Sequence, residues 1–258
     1  MQTAAHTSVP HNPHIRSITL NHPWHWLSAG WADMCANPGV SYLYGGLFTA
    51  IGFGLFYGLD AVGMGYLILP LVFGFALIGP VAAVGLYETS RRQQDDCATG
   101  LGEALAAIRR NPTQIALVGT FLLIAFLAWV RLAMLEFMLF FGSAPPSLDR
   151  LIDTMLLSPQ SLAFLLVGLV SGGMLALGVF AMTAIAVPML LHRTDCDAMT
   201  AMLTSVDAVR RNWRPMMLWA GLISFFTMLG MALFFVGLIV TLPLIGHASW
   251  HAYRDLVE

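Results

Sequence analysis

Ala107–Gly119 reads AIRRNPTQIALVG, and the chain returns to the same grammar near its C-terminus as Ala208–Gly221, AVRRNWRPMMLWAG. Looser versions start at Asn37-Pro38 and Ser158-Pro159, each running into an apolar, glycine-containing stretch. An amphipathic segment meets an Asn or Ser, usually a Pro follows, and a long hydrophobic run begins. The physical reading is a helix lying on a surface, an N-cap residue, a proline tolerated in the first helical turn, and a helix entering lipid.

Composition agrees. Of 258 residues 58% are hydrophobic and 10% charged, with a mean hydropathy of +0.75. A soluble domain carries about 25% charged residues, so the class is a polytopic membrane protein. The first stretch is polar, contains Pro10 and Pro13, and has no apolar core of a signal peptide. Residues 1–21 are therefore expected to be a disordered tail and 22–258 the membrane domain. The net charge of -2 comes with no basic block or aromatic–basic patch, so no nucleic-acid partner is expected. Cys35, Cys97 and Cys196 are too few and too scattered for a disulfide framework.

Outward from the opening stretch, the chain divides into spans of about 20 residues, the length that crosses ~30 Å of hydrocarbon. His22–Asn37 places Trp24, Leu27, Trp31 and Met34 at helical spacing and reads as a surface helix. The first span follows to about Leu59 and the second runs over about Gly63–Tyr87. A stripe of Leu101, Leu105 and Ile108 leads into the third span at Pro112. A further stripe, Leu148 to Leu156, falls in an insertion at Gly142–Leu157. The fourth span opens at Ser158-Pro159 and ends at His192-Arg193, and the stripe Met199, Met202, Leu203, Val206 and Val209 precedes the last pair. From Pro215 to Tyr253, 39 residues pass without Asp, Glu, Lys or Arg. One helix of that length would be ~58 Å, so two spans with a hairpin near Gly230–Gly237 fit better.

The expectation is an all-α bundle of six transmembrane helices with amphipathic interfacial helices. Ten arginines (Arg16, Arg91, Arg92, Arg109, Arg110, Arg193, Arg210, Arg211, Arg214 and Arg254) fall on the side of the N-terminus. Only Arg150 lies clearly opposite, so the positive-inside rule places both termini in the cytoplasm. Three degenerate repeats of surface helix, span and return span cover Trp24–Arg92, Thr99–Arg193 and Asp197–Arg254.

The ordered motifs HPWHWLSAGW, ANPGVSYLYGGLF, IGPVAAVGLYETSRR, AIRRNP, LAWVRLA, AMLTSVDAVRRN and PLIGHASWHAYRDL resemble the bacterial "domain of unknown function 2189" family over roughly Asn21–Val257. The resemblance implies a multi-span protein of the bacterial inner membrane and brings no activity with it.

Residues with chemical potential are few. His247 and His251 share one helical face, and His22 and His25 fall at the same boundary. Four imidazoles are the donor set for zinc, copper or a haem iron, while an interfacial belt with Trp24, Trp26, Trp250 and Tyr253 is the blander reading. None of the eight histidines lies mid-span, which excludes a haem–copper catalytic core. Asp95-Asp96-Cys97 and Asp195-Cys196-Asp197 read as helix caps and solvated loop charges, or as a cytoplasmic metal cluster. Arg131 and Glu136 are the intramembrane polar candidates, although a spacing of five puts them on different faces. Gly54 with Gly58, and Gly168 with Gly172, form small-xxx-small faces for close packing. Pro70, Pro80, Pro188 and Pro243 kink the return spans. No Ser-His-Asp set, phosphate loop or dinucleotide fingerprint is visible.

These residues name no cofactor and lean away from an enzyme. They favour a non-catalytic scaffold, assembly factor or accessory subunit acting through helix–helix contacts in the lipid bilayer. Its partner would be another membrane protein or a respiratory complex. The alternatives are a small-solute transporter or channel, and a haem- or metal-binding component of a respiratory complex.

Overall fold

The computed structural model describes residues 14–97, 99–142 and 157–257. Among them the structure is helical. It begins with α1 (His22–Ala36), α2 (Pro38–Ala61), α3 (Ile68–Ala82), α4 (Val84–Gln94) and α5 (Leu101–Ala106). Then follow α6 (Pro112–Phe141), α7 (Ser161–Thr183), α8 (Ala186–His192), α9 (Ala198–Arg211), α10 (Trp213–Ala232) and α11 (Leu238–Leu256). Short 3-10 turns cover Gly65–Leu67 and Ala107–Arg110. The insertion stripe at Leu148–Leu156 lies outside the described residues.

Among the described residues, five stretches are long and apolar enough to cross a membrane: Pro38–Ala61, Gly65–Gln94, Pro112–Phe141, Ser161–His192 and Trp213–Ala232. The protein is an integral, multi-pass membrane protein. The helix expected as a sixth span is α11. It is separated from α10 by a turn over residues 233–237, so the long uncharged run is a hairpin and not one rod. Its C-terminal half is polar, however, and is buried against α1, α2 and α4. In the hairpin turn Phe234 and Phe235 take left-handed backbone conformations (φ 54° and 61°), which bulky residues rarely adopt. Their rings pack on Phe53, and the Phe235 ring lies against Gly52.

Burial is uneven. Between 11% and 28% of the most apolar window of each span is buried within the chain. By contrast α4 buries seven of its eleven residues, α8 six of seven and α11 twelve of nineteen. The core is therefore a layer at one end of the bundle, where the ends of the return helices meet. Lipid solvates the apolar sides of a span, so crossing segments need not bury each other; a polar end must pack to exclude water.

Among the described residues, α1, α5 and α9 wrap this layer, each turning one face inward. Gly30 and Asp33 of α1, Ala104 of α5, and Ala201, Thr204, Ser205 and Ala208 of α9 are buried. The large apolar side chains on the other faces stay exposed: Trp24 and Trp31; Leu101 and Leu105, continued by Ile108 of the 3-10 turn; Met199 and Leu203. This corrects the stripe read in α1, where Trp26, Gly30, Asp33 and Met34 form the buried side.

Asn37, Asn111 and Asn212 join these helices, or the 3-10 turn after α5, to α2, α6 and α10, with similar backbone angles (φ −124°, −147°, −115°). None makes the side-chain cap expected of it. At ψ between 37° and 66° the side chain does not face the first free N–H groups, and Pro38 and Pro112 supply none. The amides bind across the joint instead. Asn37 donates to Gln93 Oε1, Asn111 to the carbonyls of Leu190 and Cys196, and Asn212 to the Arg16 carbonyl. Asn212 also accepts from the Ile18 N–H, and the Arg16 N–H donates to the Leu256 carbonyl. Residues 14–21, expected within a disordered tail, are thus tied to the C-terminus; residues 1–13 lie outside the described residues.

Candidate functional site in the buried polar layer

Of the histidines singled out in the sequence, His247 has the most enclosed position. It is fully buried, with Nε2 3.0 Å from Ser41 Oγ and Nδ1 2.8 Å from Ser90 Oγ. One serine donates to the ring and the other accepts from it, so a neutral imidazole is fully satisfied. Burial pushes its pKa down to about 4, opposed by the nearby Asp33 carboxylate and reinforced by His251. His251, one turn later, places Nε2 2.9 Å from Asp33 Oδ2 on α1. The two histidines thus clip α11 to α2, α4 and α1.

The other pair does not join them. His22 Nδ1 accepts from the Thr19 backbone N–H at 3.1 Å, and His25 is exposed. Among the described residues no group of three or more His, Cys, Asp or Glu is placed to hold a metal ion. The interfacial belt needs correction too: Trp26, Trp250 and Tyr253 are each 1% exposed. Trp26 donates to Asp255 at 2.7 Å and meets Trp219 edge-on, while Trp250 donates to Gln94 at 3.1 Å. An indole hydrogen bond to a distant residue has no local pattern, so nothing in the sequence could have found these.

A second polar group borders the first. Glu88 is 4% exposed and is gripped by Arg91 through two hydrogen bonds of 2.8 Å, with Arg110 at 3.9 Å. Arg110 also donates to the Leu191 carbonyl at 3.1 Å. His192 Nδ1 lies 2.9 Å from the Tyr253 hydroxyl, and Arg254 approaches its Nε2 at 3.5 Å. Sequence reasoning passed over Glu88, although a carboxylate beside a 25-residue-scale apolar run with Arg three positions on was a usable signal.

Within the spans, Arg131 is exposed and Glu136 is buried, so they do not pair, as their spacing requires. Glu136 Oε1 accepts a hydrogen bond from Ser171 on α7. Asp197 caps α9, accepting from the Thr200 N–H at 2.9 Å, and Asp95 pairs with Arg91. The Thr200 hydrogen bonds hold the Asp197 carboxyl below its ordinary range.

The glycine faces split. Gly172 receives the Trp129 ring and Gly168 faces Glu136, both on α6, whereas a Cβ at Gly54 or Gly58 would meet nothing. The small face of α2 that packs within the chain is Ser41, Gly45, Thr49 and Gly52, against α11 and the turn before it. The helix breaks are closed by neighbours: Tyr44 donates to the Ala82 carbonyl at 2.6 Å before the Ala83 break, and Ser205 accepts from Ile185 before α8. An apolar cleft lies between α2 and α3, lined by residues such as Phe48, Leu55, Leu71 and Phe75.

What these groups do is chiefly hold helix ends together. No curated protein and no solved structure matches the chain. Residues 68–192, which include both return segments α3–α4 and α7–α8, match a family described as "Predicted integral membrane protein (DUF2189)". Over that stretch, just under half of its length, the chain is similar to this family of predicted integral membrane proteins.

Proposed function

We propose that the protein is a non-catalytic scaffold or accessory subunit of the bacterial cytoplasmic membrane, binding another membrane protein through a helical face. The carrying observation is that α2 has two small-residue faces. Ser41, Gly45, Thr49 and Gly52 are spent on α11 and the turn before it; Gly46, Ala50, Gly54 and Gly58, each four residues from the next, face away from the rest of the chain. Small residues let a second helix approach closely enough for backbone contact, the main source of helix association in lipid. The rigid polar layer supports this reading, since it fixes the angle at which α2 is presented.

The arginine bias in the sequence favours both termini in the cytoplasm, and the pairing of the C-terminal end of α11 with residues 15–16 is consistent with that. A reporter fused after Glu258 is expected to be active only on the cytoplasmic side. The scaffold reading is tested by extracting the tagged full chain in mild detergent and identifying co-purifying membrane proteins. Gly54→Leu with Gly58→Leu should abolish that recovery while leaving the melting temperature unchanged. Recovery unaffected by the double substitution would sink the reading.

A further inference from the structure

We infer that Glu136 and Ser171 form a binding site for a small monovalent cation, a proton or sodium, between α6 and α7 in the half remote from the polar layer. The site stands independently of the scaffold role. Glu136 is 5% exposed. Its Oε1 lies 2.5 Å from Ser171 Oγ, which in turn reaches the Gly168 carbonyl at 3.4 Å. Its Oε2 stands 3.4 Å from the place a Cβ on Gly168 would take, so the absent side chain leaves room beside the α7 backbone. Carboxyl, hydroxyl and carbonyl oxygens are the donors that hard cations take.

Among the described residues, Ser171 is the one hydrogen-bond partner of this carboxyl, and no cation pairs with it. α6 carries one other ionisable group, Arg131. Five residues earlier, Arg131 stands about 140° round the helix, and it is exposed. The helices flanking α6 along its length, α3 and α7, contain no ionisable residue. The remaining neighbours of α6 are α8, α9 and the 3-10 turn, with His192, Asp207, Arg210, Arg211, Arg109 and Arg110. These belong to the polar-layer end, where Gln114 on α6 accepts from the Ala198 N–H. Glu136 is 22 residues further along α6, ~33 Å away. Rings close the site on both sides. Phe164 meets Phe137, Phe140 and Phe141 at 5.1–6.3 Å towards the helix end, and the Trp129 ring lies on Gly172 below. Buried charges are paired or bind a cation, and intramembrane carboxylates mark ion and proton sites. A purely structural hydrogen bond to Ser171 accounts for Oε1. It does not account for a carboxyl where glutamine would make the same bond uncharged.

The test uses the purified full chain in detergent and a hydrophobic carbodiimide, which reacts with protonated carboxyl groups in dry surroundings. The carboxylic O–H adds across one C=N bond of the reagent: oxygen bonds to the central carbon and the proton passes to nitrogen. The adduct rearranges to a stable acylurea that keeps every atom, so peptide mass spectrometry reads the modified residue. In choline chloride, Glu136 should be labelled at least tenfold faster than Glu103, which is exposed. Replacing choline by sodium at equal ionic strength separates the two cations. Protection of Glu136 by sodium identifies a sodium site, and labelling indifferent to sodium a proton site; either supports the assignment.

If Glu136 is labelled no faster than Glu103 in choline chloride, the site is refuted. That ratio is read on the wild-type chain and needs no variant to fold. In the sodium case the melting temperature should also rise with sodium in the wild type and not in Glu136→Gln, which keeps the bond to Ser171. A rise that survives the substitution overturns the sodium assignment.

Discussion

Two adjacent glycines on α2 should respond in opposite directions to the same substitution. A Cβ at Gly45 would lie 2.5 Å from the Ile239 carbonyl oxygen and 2.7 Å from its Cα. Both are backbone atoms of α11 and cannot rotate away. Ordinary contact lies between 3.4 and 4 Å, so the helices must separate by close to ~1 Å. A gap of that size forfeits up to about half of each dispersion contact along the joint. It also stretches the Ser41–His247 and Thr49–Phe235 hydrogen bonds, now 3.0 and 2.9 Å. Overpacking of this kind costs about 1–3 kcal/mol. At Gly46 nothing lies within 4 Å, and alanine there gains roughly 1 kcal/mol of helix propensity.

Gly45→Ala and Gly46→Ala should therefore differ by about 2–4 kcal/mol, which for a chain of this size is roughly 4–16 °C in melting temperature. The assay is tryptophan fluorescence during heating in detergent, with wild type between the two variants. A Gly45→Ala protein melting at or above wild type would refute the close approach of α2 and α11.

Three further outcomes follow from the polar layer. The His247 pKa lies below its unfolded value, so the stability it contributes is fully present above pH ~6.5 and is lost as pH falls towards 4. At about 1.4 kcal/mol per unit the loss approaches ~3 kcal/mol, and His247→Asn should flatten the melting temperature between pH 6.5 and 4, read by fluorescence in matched buffers. Asn111→Ala leaves the Leu190 and Cys196 carbonyls without its amide and should cost about 1–3 kcal/mol, with faster amide exchange around Leu190–Cys196 by mass spectrometry. Asp197→Ala removes the α9 cap and should cost about 1 kcal/mol, measured by thermal circular dichroism; Asp197→Asn should recover most of it.

Local chemistry carried much of this far. Apolar runs of membrane length, the hairpin between α10 and α11, the Asp197 cap and the failure of Arg131 to pair with Glu136 all depend on spacing within one segment. Such features are legible because helix periodicity and desolvation act on neighbours in sequence. The surface helices were legible too, through the same periodicity, but not which side of α1 would be buried. Trp24, Trp31 and Trp26 are equally apolar on paper, and only the place of Trp219 and Asp255 puts Trp26 inside.

Tertiary structure decided the rest. α2 offers two small-residue stripes, and α11 uses the one containing Gly45 and leaves Gly54 and Gly58 bare. His247 looked like part of a boundary belt until Ser41 and Ser90, 206 and 157 residues away in sequence, closed around it. The asparagines at the joints bond across the chain, and none caps the helix that follows it. Sequence by itself determined which segments prefer lipid, because transfer of a helix from water is a sum over its own residues. Which faces meet, and which polar groups are buried, depends on complementarity between segments far apart in sequence, a property no single segment possesses.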